Sequence, residues 1–125
     1  MIRVLGDQNS VLNQFIAELR NVNVQSDFMR FRRNMERCGE VFAYELSKEL
    51  NYRPEQVQTP LGVADMQLPN ETLVLATILR AGLPLHQGML NFFDTAQNAF
   101  ISAYRKYNKD GSFRIQFEHL SCPNI

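Results

Sequence analysis

The chain has 125 residues, 45% hydrophobic and 21% charged, enough for one domain with a small core. Its 13 basic and 13 acidic side chains cancel to a formal charge of zero, which excludes the broad cationic surface of a nucleic-acid binder and the polybasic run of a membrane-surface protein. Met1 to Asn9 carries no signal-peptide pattern and no apolar stretch approaches a membrane span. The expectation is therefore a single cytoplasmic domain over residues 1–125, with Cys38 and Cys122 as reduced thiols.

In chain order, Ile2 to Leu5 reads as a short edge strand, and Gly6 to Ser10 as a turn whose last residues can cap a helix. Leu12, Phe15, Ile16 and Leu19 then fall on one helical face, and Asn21-Val22-Asn23 ends that helix. Ser26 and Asp27 are N-cap candidates for the longest helix, which runs to about Leu50. Phe28, Phe31, Met35, Cys38 and Phe42 form its expected core-facing stripe, while Arg30, Arg32, Arg33, Arg37, Glu36, Glu40 and Lys48 form a solvated face with internal ion pairs.

Asn51 to Pro54 reads as a breaker. Val57–Thr59 and Val63–Met66 flank Pro60-Leu61-Gly62 and make a small hairpin. Thr72 to Leu79 is nearly continuously apolar and rich in β-branched residues, the signature of a strand buried on both faces. Arg80, Ala81 and Gly82 interrupt it, and Leu83 to Phe93 has helical spacing. His86 lies in that helix with no Cys, Asp or Glu at ligand spacing, and reads as a hydrogen-bonded surface or boundary residue. Asp94 to Asn98 is a turn before a second strand, Ala99 to Tyr104, so two helix-linked strands form a parallel βαβ unit. Phe113, Ile115 and Phe117 alternate with polar residues as a half-exposed strand.

Strand, small-residue turn and helix together make an anion-holding corner. Amides at a helix N-terminus point outward, and ligands of open α/β sheets lie beyond the carboxyl ends of the strands. Arg80 and Arg105 both fall at that edge, where guanidinium forks suit phosphate.

The run Ile78-Leu79-Arg80-Ala81-Gly82-Leu83 resembles the ILRAG segment of uracil phosphoribosyltransferases, a branch of the type I phosphoribosyltransferases. Gly88, the pair Tyr104-Arg105, and upstream Phe31-Arg32, Gly39 and Tyr44-Glu45 follow the family in type and order, so the likeness spans roughly Phe31 to Tyr107. It implies an α/β fold: an incomplete phosphoribosyltransferase-type parallel sheet core with N-terminal helices and a β-hairpin appendage. It implies a pentosyltransferase of pyrimidine salvage that joins uracil to phosphoribosyl diphosphate (PRPP), giving UMP and diphosphate with Mg²⁺ assisting. Arg80, Ala81, Gly82 and Arg105 would then bind the diphosphate of PRPP, and the first long helix would help to form a homodimer or higher oligomer.

The resemblance stops short of two parts. The family's acidic, small-residue loop for the ribose 5-phosphate and its uracil-recognising segment have no counterpart in these 125 residues. No residue is therefore assigned a catalytic or metal-ligating role, and the chain alone is expected to be inactive. Three readings follow: the N-terminal portion of such an enzyme, a naturally short, non-catalytic dimerising or regulatory module of the same family, or an unrelated α/β binding domain whose ILRAG run is coincidence.

Overall fold

A computed structural model describes residues 1–124, in which helices stack on one face of a small mixed sheet. The helices are α1 (Leu12–Arg20), α2 (Phe28–Ser47) and α3 (Leu83–Phe92). The strands are β1 (Tyr52–Thr59), β2 (Gly62–Pro69), β3 (Val74–Leu79), β4 (Gln97–Tyr107) and β5 (Phe113–Ser121). β3 and β4 pair in parallel, Val74 opposite Gln97 through Leu79 opposite Ser102. β5 adds antiparallel to β4 with an irregularity at Ser102/Ala103.

α1 and α2 start where side-chain chemistry supplies the missing backbone partner. Ser10 Oγ accepts from the Leu12 amide (3.2 Å) at α1, and Asp27 Oδ1 accepts from the Arg30 amide (3.1 Å) at α2. Such a cap stabilises a helix by about 1 kcal/mol. α2 lies between α1 and α3, and α3 is the helix against the sheet: the His86 ring meets Phe100 of β4 at 5.2 Å between centroids.

Several expectations need correction. Ile2 to Leu5 is not a strand; a single 3₁₀ turn, Leu5–Asp7, stands there instead, because no neighbouring strand offers it a ladder. The expected stripe on α2 is displaced: Phe28 is largely exposed, and the buried positions are Asn34, Cys38, Gly39 and Ala43. The crossing with α3 is so close that only small side chains fit, which pushes the large ones to its flanks. Asn51–Pro54 does not break the chain, since Tyr52 to Pro54 pair with Pro69 to Gln67 and the hairpin is eight residues a side. Proline is tolerated there because the two-stranded ribbon is all edge.

β3 begins at Val74 and alternates: Leu75 and Thr77 are buried, whereas Ile78 keeps 60% of its surface. Only the face toward α3 is covered, so the strand is apolar on both sides but buried on one. His86 is buried at 7% exposure rather than at the surface, because α3 turns it inward onto β4.

The hairpin stands apart. Its base is tied by Asn51, whose amide and side chain both donate to Glu71 Oε1, and by the Asn70 amide to Asn51 carbonyl bond (2.9 Å). Gly62 takes φ +135°, the left-handed region that the tight connection needs and glycine supplies.

Candidate functional site: an anion corner at the rim of the parallel strands

The corner is built by the end of β3 and the start of α3. The Gly82 amide donates to the Ile78 carbonyl (3.1 Å) and the Leu83 amide to the Arg80 carbonyl (3.1 Å), which folds Arg80-Ala81-Gly82 into one compact turn. The Leu79–Arg80 peptide bond is cis. Gly82 is the N-cap of α3 and Pro84 sits in its first turn, where a missing amide hydrogen costs nothing. Neither Arg80 nor Ala81 donates its amide within the turn, and the positive end of the α3 dipole begins there.

Register fixes the second arginine relative to the first. Leu79 is opposite Ser102, so Arg80 follows the last paired residue of β3 and Arg105 lies further along β4 toward the same carboxyl end. The Arg105 guanidinium rests over the Phe113 ring at 5.0 Å from its centroid, held across the β4–β5 ladder. Among the described residues neither arginine forms an ion pair; the five salt bridges all involve other cations. Neither guanidinium is neutralised by a carboxylate, so each is chemically suited to a phosphate oxygen.

Other polar clusters tie the helices together. Asn34, 1% exposed, donates to Glu18 Oε2 (2.6 Å) and accepts from Arg37 Nη1 (3.0 Å), joining α1 to α2. That amide, ahead of the Arg30 guanidinium, holds the Glu18 carboxyl below the usual carboxylate range against the opposing pull of desolvation. Asn91 donates to both Glu36 Oε1 (2.8 Å) and Glu40 Oε1 (2.9 Å), and so lowers Glu36 as it joins α3 to α2. His86 Nε2 lies 2.7 Å from Asn98 Oδ1. Sequence reading missed Asn34 and Asn98 because a lone Asn carries no periodic signal. A cleft of about 1100 Å³ lies elsewhere, between the N-terminal segment, α1 and α2, lined by Val4, Leu12, Ile16, Phe42 and Leu46.

No three His, Cys, Asp or Glu side chains converge to hold a metal among the described residues. No helix of the described chain is long and apolar enough to cross a membrane.

Parallel strands, a small-residue turn into a helix and an arginine-bearing carboxyl rim define an α/β unit. The sequence pattern described as uracil phosphoribosyltransferase matches residues 6–120, and the chain belongs to that family. A uracil phosphoribosyltransferase of Porphyromonas gingivalis is 53% identical over 121 residues, covering 97% of this chain and 56% of that protein. One from Methanococcus maripaludis is 31% identical, covering 95% of this chain and 51% of that protein. The chain thus spans about half the length of the curated relatives it matches. The solved structure of the AQ2163 protein from Aquifex aeolicus shares the fold, with a TM-score of 0.73 at 21% identity over 93% of this chain and 54% of that one.

Proposed function

We propose that this chain carries the diphosphate-holding part of a uracil phosphoribosyltransferase, which joins uracil to PRPP and releases diphosphate. One observation supports it above the others: Arg80 and Arg105 lie past the register-paired Leu79 and Ser102 at one carboxyl rim, both without a carboxylate partner. As the bond from ribose to diphosphate breaks, negative charge gathers on the leaving oxygens and positive charge on the sugar. Preorganised guanidinium groups and amides lower that barrier without moving. In this reading Arg80 and Arg105 neutralise the diphosphate, and Ala81 and Gly82 offer backbone at close range. In this reading Mg²⁺ would accompany PRPP, bound through phosphate oxygens.

Calorimetric titration of the chain with inorganic diphosphate tests the reading. Binding is expected that weakens as salt rises, and by about tenfold or more in Arg80→Ala or Arg105→Ala, the scale of one charged hydrogen bond. Absence of binding in the parent chain, or unchanged binding in both variants, would refute it. An assay for UMP formation separates the enzyme from the non-catalytic module of the same family.

The second reading, a self-associating module, draws on the uncovered side of the sheet. Ile78, Ile115 and Phe117 keep 60%, 64% and 56% of their surfaces, and parallel sheets are ordinarily covered on both faces. In either case we propose a homodimer or larger assembly, which light scattering tests; a stable monodisperse monomer would count against it. A cytoplasmic setting completes the proposal, consistent with Cys38 and Cys122 both being free.

A further inference from the structure

Gly82 is required by space, not by backbone freedom. Its φ of −72° is open to any residue. Yet a Cβ built there would fall 2.8 Å from the Ile78 carbonyl oxygen and would overlap the Thr77 hydroxyl oxygen outright. The anion turn therefore folds down onto the end of β3, and the nearest side-chain atom beneath it is Thr77 Oγ1.

Thr77 belongs to the buried row of β3 with Leu75, opposite Phe100, on the side that α3 covers. It is only 9% exposed. Its hydroxyl has no hydrogen-bond partner among the described residues, yet it is not a sealed, unsatisfied atom, so it keeps some contact with solvent. An oxygen can approach a glycine Cα more closely than a methyl group can, and it can accept a weak bond from the Cα hydrogens. A methyl in the same place would lift the turn away from β3.

We propose that Thr77 is a positioning residue for the anion corner: its hydroxyl, seated under Gly82, sets the height and tilt of Arg80-Ala81-Gly82 over the strand end. The proposal rests on the diphosphate reading for its consequence, although the contact itself does not. Thr77 touches no substrate in this scheme and acts through the turn alone. Small displacements of a preorganised charged site carry large penalties, so a side chain that fixes the turn contributes to affinity without meeting the ligand.

The test compares Thr77→Val, which keeps the volume and replaces the oxygen by carbon, with Thr77→Ser, which keeps the oxygen. Three quantities are read: affinity for inorganic diphosphate, the NMR resonance of the Gly82 amide without ligand, and the melting temperature. Thr77→Val is expected to weaken diphosphate about tenfold and to shift the Gly82 resonance with little change in melting temperature. Thr77→Ser is expected to stay within about twofold of the parent and to leave the resonance in place, since the contact survives. A stability cycle of Thr77→Ala, Gly82→Ala and the double variant should be non-additive, because the two changes share one contact. Parent-like affinity and an unmoved Gly82 resonance in Thr77→Val, or an additive cycle, would overturn the proposal. If the parent binds no diphosphate, the diphosphate reading falls, while the resonance and the cycle still decide the role of Thr77.

Discussion

Gly39 of α2 and Gly88 of α3 meet across the helix crossing with no side chain between them. A Cβ on Gly88 would lie 2.9 Å from the Gly39 Cα and would overlap the Glu36 carbonyl oxygen; one on Gly39 would overlap the Leu85 carbonyl oxygen. Helix propensity alone favours alanine at both sites by up to about 1 kcal/mol. Sterics opposes it, because the obstructing atoms are backbone and cannot swing aside. Gly88→Ala and Gly39→Ala are each expected to destabilise the fold by about 1–3 kcal/mol, read as a lower urea midpoint. A midpoint at or above the parent's would show that the helices part without cost.

Asn34 supports a second contact between helices. Replacing it by leucine leaves Glu18 without its shortest donor and Arg37 without its acceptor, and the urea midpoint is expected to fall. The same change should alter the response to acid. Glu18 is held below the usual carboxylate range in the fold, chiefly by Asn34. Its contribution is therefore complete above the unfolded carboxylate value and is lost as pH falls through the lowered folded value. The parent should lose stability on acidification more steeply than Asn34→Leu, as denaturant midpoints measured between about pH 6 and pH 3 would reveal. Parallel curves would remove Asn34 as the cause.

What the sequence made legible divides along physical lines. The strand–turn–helix at Arg80 was readable because apolar run, small-residue turn and helical spacing each announce themselves locally. The capping role of Asp27 and the hairpin turn at Gly62 were readable for the same reason. The buried side of α2 was readable only at Cys38, since hydrophobic periodicity points to the largest residues whereas the contact otherwise uses Asn34, Gly39 and Ala43. Nor could composition reveal that β3 is covered on one side only. An apolar strand looks the same whether or not something lies over it, and Ile78 is as hydrophobic exposed as buried. For the corner itself, sequence order put Arg80 and Arg105 after successive strands, but pairing of Leu79 with Ser102 is a tertiary fact.

The two cysteines should separate cleanly by reactivity. Cys38 is 2% exposed in α2, and burial raises its thiol above the ordinary value, so the nucleophilic thiolate is scarce and unreachable. Cys122 is exposed. A chromogenic disulfide reagent is expected to modify Cys122 promptly in the native chain and Cys38 only on unfolding. Rapid modification of both under native conditions would mean that α2 opens far more readily than its packing against α1 and α3 implies.

Phe113 offers a way to probe Arg105 without touching its charge. The ring lies beneath the guanidinium at 5.0 Å and pairs with Tyr107 across the ladder at 5.8 Å. At an exposed rim such a contact is worth about 0.5–1 kcal/mol, most of it in restricting where the long side chain points. Phe113→Leu keeps the strand and an apolar surface but removes the π face. Diphosphate affinity should then fall by about two- to fivefold, the equivalent of that energy. The same substitution made in an Arg105→Ala background should change nothing, because no guanidinium remains to be oriented. An equal loss in both backgrounds would mean that Phe113 acts through the strand, and Arg105 would then owe its placement to β4 alone.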